Sequence, residues 1–231
     1  MEANDTRTRL LDAAERAFSA KGYDGASMRE ITAEAGANLA AAHYHFGSKE
    51  DLFVAVVARR MEPMNRERLR LLDEAEARAA GGPVAIEEIL EALVAPVLRT
   101  SDAEGASASC FLRLFGRLQN EEGELWKRIV NGPLLEVRTR VAAAMHRSLP
   151  HLPKRELMWR MHFTIGTMAN IAGDQHRLEL ISGGLCSSRD VEGTIRRLIP
   201  FLAAGLRSPL GRAQPPRPPL KRARGARSRS R

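Results

Sequence analysis

His43, Tyr44, His45 and Phe46 stand side by side, and Lys49 follows three residues later. Imidazole and phenol groups accept or donate hydrogen bonds, and an ammonium adds a full positive charge. Such a set suits the binding of phosphate oxygens and polar base edges. It is a poor metal pair, because His43 and His45 are two apart and a helix turns them to different faces. His146, His151 and His162 show no ligand pattern either. The chain has no G-x-S-x-G turn, no phosphate-binding loop, and no Cys/His pair at plausible spacing. A binding role without catalytic residues, metal or cofactor is therefore expected.

The elements that must position these groups are short. Gly36 supplies a left-handed turn position, Asn38 caps a helix from Leu39 to about His45, and Gly47 breaks it. Before it, S-M-R-E at Ser27–Glu30 fits a capping box that opens a helix running to Ala35. After it, S-K-E-D at Ser48–Asp51 resembles a second box, with Asp in place of Glu or Gln. Two short helices joined by a glycine-bearing turn form a helix-turn-helix, whose second helix enters the DNA major groove. Small Ala40 and Ala41 permit close approach. Leu39 or Ala40 can touch a thymine methyl, while His43, Tyr44 and His45 can bond phosphates. Lys49, at a helix N-terminus, suits a phosphate clamp.

The rest of the chain reads as helix. Of 231 residues, 44% are hydrophobic and only 5% aromatic, with Ala, Leu, Glu and Arg dominant. That composition predicts an all-α fold. A first helix spans Thr6 to Lys21, its stripe being Leu10, Leu11, Ala14, Ala17 and Phe18. A long helix starts after Ser48, and Pro63 is expected to kink or end it. A charged amphipathic stretch continues to Ala80, and Gly81-Gly82-Pro83 marks a boundary. Further helices are expected near Ile86–Arg99, Ser107–Asn120, Glu124–Leu149 (with Pro133 inside), Lys154–Gly173 and Arg189–Leu206. Domains at 4–64 (helix-turn-helix 27–46) and 83–207 follow, with a tail at 208–231.

The net charge of +8 is uneven. Nine Lys or Arg fall between Arg207 and Arg231, without an acid. This Pro/Arg/Ser-rich tail cannot bury enough surface to order itself, and reads as a disordered extension or as an arm adding nonspecific DNA affinity. Residues 1–52 carry six basic and nine acidic groups, so DNA affinity must rest on local placement, on dimerisation or on the tail. No run reaches the roughly 18 apolar residues of a membrane helix. The polar N-terminus lacks a signal-peptide core. Cys110 and Cys186 are expected as buried reduced thiols of a cytoplasmic protein.

With A-x-x-x-F at Ala14–Phe18, K-G-Y at Lys21–Tyr23, S-M-R-E-I, A-G-A-N and Y-H-F-G-S-K-E-D-L, residues 7–52 resemble the DNA-binding domain of TetR-family transcriptional regulators. The resemblance implies a homodimer on a palindromic DNA operator, usually as a repressor relieved by a small molecule. It implies phosphate contacts for Ser27 and Lys49, and a groove-facing set of Arg29, Leu39, Ala40 and His43. Tyr44 and His45 would lie against the DNA backbone, with Asn38 at the start of the reading helix. The family often carries Tyr where this chain has His43.

S-C-F-L-R-L-F-G-R-L at Ser109–Leu118, E-L-M-W-R-M-H-F-T-I-G at Glu156–Gly166 and I-P-F-L-A-A-G-L-R at Ile199–Arg207 are similar to the PsrA-like branch. That implies sensing of a long-chain fatty acid or acyl-CoA. By helical spacing, Phe111, Leu114, Phe115 and Leu118 form one apolar face, and Trp159, His162, Phe163 and Gly166 another. Both faces suit a pocket, or equally a plain core. Arg113, Arg160 and His162 are candidate anchors for an acid group, with internal ion pairs as the alternative for the arginines. Regulation of efflux or of another catabolic pathway, and architectural DNA binding without a ligand, stand as alternatives.

Overall fold

The computed structural model describes residues 2–103, 123–173, 177–187 and 189–210, and these are helical with connecting turns. The helices are α1 (Glu2–Gly25), α2 (Met28–Glu34), α3 (Leu39–Phe46), α4 (Lys49–Arg78), α5 (Ile86–Ala103), α6 (Glu124–Asn131), α7 (Leu135–Ser148), α8 (Lys154–Gly173), α9 (Arg177–Ile181) and α10 (Val191–Arg207). The first three helices and the start of α4 pack as one unit. In the remainder, α5 lies at the centre against α4, α7, α8 and α10. The helix expected at Ser107–Asn120 lies outside the described residues.

Helix α1 buries the expected stripe: Leu10, Leu11, Ala14, Ala17 and Phe18 are all in the core. Phe18 meets the Phe53 ring edge-on at 4.9 Å, which seats α1 on α4. Helical geometry is interrupted at Gly22, whose φ of 75° opposes a Cβ. On the outer side of the same seam, Arg59 reaches Asp12 at 2.7 Å and Glu15 at 2.5 Å, and Arg60 reaches Glu15 at 2.6 Å. Arg16 takes Glu34 at 2.6 Å and Lys21 takes Glu30 at 3.0 Å. The acidic excess of the N-terminal region is thus largely spent on internal pairs.

Two expectations need correction. Pro63 does not end the long helix: α4, 30 residues in all, runs through it to Arg78. The ring removes one backbone donor, but the buried row of Met61, Met64, Leu72 and Ala75 holds both halves against the core. Conversely, the stretch from Glu124 to Leu149 is two helices, α6 and α7, parted at Gly132-Pro133. Gly132 leaves helical geometry (φ −112°, ψ −105°), and a Cβ there would sit 2.8 Å from the Arg128 carbonyl oxygen. Gly132→Ala is expected to lower stability by about 1–3 kcal/mol, seen as a fall in Tm. An unchanged Tm would mean that the turn is soft.

Candidate nucleic-acid interface and interior cavity

Helix α3 is fixed by a few residues and leaves the others out. Ala42 and Phe46, four apart, are buried against the neighbouring helices. The Arg7 guanidinium lies 5.3 Å from the Phe46 ring and closes that side. Asn38 caps the helix, its Oδ1 accepting the Ala41 N–H at 2.8 Å. The remaining face carries Leu39, Ala40, His43 and Tyr44, all exposed, Tyr44 by 84%. His45 is half-buried beside it, its ring 5.2 Å from that of Tyr44. The His43 Nδ1 lies 2.5 Å from the Gly47 carbonyl oxygen. In the neutral ring that places the proton on Nδ1 and leaves Nε2 as an outward acceptor.

The flanking candidates are placed with α3 but carry different duties. The Ser27 Oγ accepts the Glu30 N–H at 3.2 Å and caps α2. The Glu30 carboxyl takes Lys21 Nζ at 3.0 Å, and that bond first, with the Ser27 backbone and hydroxyl after it, holds it below its usual range. Arg29 is exposed, and no carboxylate of the described residues pairs with it. The second box forms as expected. Ser48 Oγ accepts the Asp51 N–H at 3.0 Å, and Asp51 Oδ2 accepts the Ser48 N–H at 3.2 Å. Lys49 is turned inward, its Nζ 4.5 Å from the Tyr23 ring and 3.5 Å from the Asp24 carbonyl oxygen. Clamping a phosphate requires it to leave that ring. Burial first, and a hydrogen bond to Glu50 second, push the Tyr23 phenol up to about 12. It therefore stays neutral and ties the loop to the first turn of α4.

A cavity of about 280 Å³ lies between α4, α5, α6, α7 and α8. Its walls are almost wholly apolar, with Met61, Leu93, Trp126, Val137, Met161 and Met168 among them. Among the described residues two charged groups touch it: Arg138, which is exposed, and Arg68, which is 4% exposed. Of the pocket candidates read from the sequence, those on α8 do not line it. Trp159, His162, Phe163 and Gly166 are on the outer face of α8, Trp159 and Phe163 being 52% and 60% exposed. It is the opposite face of α8, with Met161, Ile165 and Met168, that lines the cavity. Phe111, Arg113, Leu114, Phe115 and Leu118 lie outside the described residues. Arg160 is buried but committed, donating to Glu156 at 2.9 Å and to the Leu206 and Ser208 carbonyls at 2.7 Å. It closes the C-terminus of α10.

Arg68 is the residue that the sequence reading missed. Its signal is positional. Met61, Met64, Leu72 and Ala75 make a row with 3–4 spacing, and Arg68 fills the gap in it. Cys186 corrects another expectation, since it is exposed in the glycine-rich connector before α10.

The cavity and the α4 cap that follows α3 are joined by contacts. Trp126 and Val130 of α6 face the cavity, while Arg128 of the same helix pairs with Asp51 in the α4 capping box. Asn65 of α4 donates from Nδ2 to the Pro133 carbonyl at 2.8 Å, in the turn after α6. Hydrogen bonds from Ser48, and then the pair with Arg128, hold the Asp51 carboxyl below its usual range. Among the described residues no three His, Cys, Asp or Glu gather as a metal site, and no helix is long and apolar enough to cross a membrane.

Comparison with known proteins adds two family matches. Residues 10–56 match the model for bacterial regulatory proteins of the tetR family, and residues 91–205 match the tetracyclin repressor-like C-terminal domain. The regulator SrpR of Pseudomonas putida is 38% identical over 63 residues, 27% of this chain and 30% of that protein. The nicotine-responsive repressor HdnoR of Paenarthrobacter nicotinovorans is 39% identical over 72 residues, 31% of this chain and 37% of that one. The chain thus spans less than half the length of these curated relatives. The regulator FadR of Bacillus subtilis, solved in complex with stearoyl-CoA, superposes with a TM-score of 0.56 at 11% identity over 86% of this chain and 98% of the other. At that identity the likeness is one of fold.

Proposed function

Because this chain belongs to the tetR family of bacterial regulatory proteins, we propose that it is a ligand-gated repressor that binds a palindromic DNA operator as a homodimer. The observation carrying this reading is the face of α3. Leu39, Ala40, His43 and Tyr44 stand free of the body of the protein, while Ala42 and Phe46 anchor the helix. In a major groove, Leu39 and Ala40 meet apolar base edges and His43 Nε2 accepts from a base amino group. Tyr44, Ser27 and a released Lys49 bind phosphates, with Arg29 and His45 alongside. A twofold dimer places two such helices on half-sites about 34–36 Å apart, or a multiple of that. The outer aromatic face of α8 and α10 serves as its interface.

The effector occupies the interior cavity. A fatty acid or its CoA ester is the class favoured by the sequence likeness to the PsrA-like branch and by the almost unbroken apolar wall. The stearoyl-CoA complex of the B. subtilis regulator supports the same class. An effector gates DNA only through unequal affinity for two states, typically about 1–3 kcal/mol of coupling. Here α6 carries the signal, touching the cavity through Trp126 and the α4 cap through Arg128.

The test is fluorescence anisotropy of the full chain on DNA from upstream of its own gene, at fixed salt. Fatty acids of graded length and their CoA esters are the titrants. Tight, sequence-dependent binding that one of these classes releases is expected. Sequence-indifferent binding, or specific binding that no titrant moves, would overturn the gated-repressor reading.

A further inference from the structure

We infer that Arg68 is the anion anchor of the interior cavity, and that the effector is a compact organic monoanion: a carboxylate on an apolar body of about ten carbons. The inference rests on the effector reading above and narrows it.

Arg68 is a buried charge that no described carboxylate balances. Arg68 is 4% exposed, and among the described residues no carboxylate lies within ion-pair distance of it. Its Nε donates to the Leu93 carbonyl at 3.0 Å and one Nη to Asn65 Oδ1 at 3.1 Å. The other Nη reaches only the Met168 sulfur, at 3.8 Å. A guanidinium has five N–H groups, so two remain for something else. Other well-covered arginines are treated differently: Arg140 has Asp73 and Glu76, Arg59 has Asp12 and Glu15, and Arg160 has Glu156. Burial without compensation pulls Arg68 down to about 10, which still leaves it charged at neutral pH. A buried cation facing an apolar cavity is costly until an anion joins it.

The chemistry of the partner follows from the walls. A carboxylate meets a guanidinium through two parallel hydrogen bonds and cancels one charge with one. A dianionic phosphate would bring a second charge that only Arg138, on the solvent side, stands to meet, and an amine would repel the anchor. The size follows from the volume. A cavity of about 150 Å³ holds benzene, so the 280 Å³ here holds roughly a dozen non-hydrogen atoms. That is the size of a ten-carbon acid, and a CoA headgroup would have to lie outside it.

The test uses the full chain and three probes of equal length: decanoate, decanol and decylamine. Binding is read by calorimetry and by the fluorescence of Trp126 in the cavity wall, and release of DNA is followed in parallel. Decanoate is expected to bind at least ~30-fold more tightly than decanol, with decylamine weakest. In Arg68→Met the decanoate affinity is expected to fall at least ~30-fold while decanol binding is kept. Arg68→Gln serves as a second variant, and the order of the probes on the unaltered chain decides the matter even if neither variant folds. Equal binding of decanol and decanoate, or undiminished decanoate binding by a folded Arg68→Met, would overturn the anchor and leave the effector reading standing. Preferred decanoate binding that releases no DNA would uphold the anchor and sink the effector reading. Binding of none of the three would sink the anchor, and the graded series of acids and CoA esters then decides the effector reading.

Discussion

Replacing Tyr44 by alanine is expected to weaken operator binding by roughly 100-fold while leaving the melting temperature unchanged. Tyr44 is 84% exposed, so its removal costs the fold little. Hydrogen bonds to charged groups contribute about 1.5–3 kcal/mol each, and a twofold dimer loses the contact twice. A loss near 3 kcal/mol is about two decades in Kd. With the proposed contact going to phosphate, specific and nonspecific affinity should fall together and the salt slope should shrink. His43→Ala removes Nε2 from a base edge and should instead relax sequence preference. Anisotropy with operator and scrambled duplexes separates the two. A Tyr44→Ala protein that binds as before would take α3 out of the groove. Phe46→Ala is the contrasting control. Its side chain is 8% exposed, so its effect should appear first as instability, about 3–5 kcal/mol.

The second large effect concerns the outer face of α8 and α10. Phe163 and Phe201 are 60% and 70% exposed and border one shallow depression, and Trp159 lies 5.9 Å from Phe163. Exposed aromatics clustered in this way mark an association surface. Phe163→Asp combined with Phe201→Asp should yield a monomer in sedimentation, with unaltered helicity because both side chains are outside the core. A monomer binds one half-site at a time and loses the effective concentration of the second, about 10²–10⁴-fold in affinity. Binding of a ligand in the interior cavity should survive. A doubly substituted chain that still sediments as a dimer would move the interface elsewhere.

Much of the DNA-facing part was legible in the sequence because its signals are local. The Ser27, Asn38 and Ser48 caps and the Gly36 and Gly47 turns each act within about three residues, which is the range a linear reading resolves. The cavity was harder for two physical reasons. Helix α8 has two apolar faces, and the aromatic one, with Trp159 and Phe163, turns outward. Side-chain chemistry does not say whether an apolar face is covered by its own chain or by another. The second reason is Arg68. It sits in the row of charges from Glu62 to Arg78, where each arginine taken alone reads as a solvated one. Only its place in the buried row betrays it. The break at Gly132-Pro133 was misjudged because apolar periodicity continues across it, whereas the backbone does not.

Helix α4 runs unbroken from the cap beside the reading helix to the wall of the cavity, and this makes it a mechanical arm. At ~1.5 Å per residue, Lys49 and Arg68 are about 28 Å apart along one axis. A tilt of about 5° about the Arg68 end therefore carries the Lys49 end through roughly 2.5 Å. Hydrogen bonds to bases and phosphates tolerate only a few tenths of an ångström. A ligand that shifts its own surroundings by less than a bond length would thus displace each reading head by several times the tolerance of its contacts. In the proposed dimer the two heads would move together, so the spacing between half-sites is the quantity that a small occupant of the interior would reset.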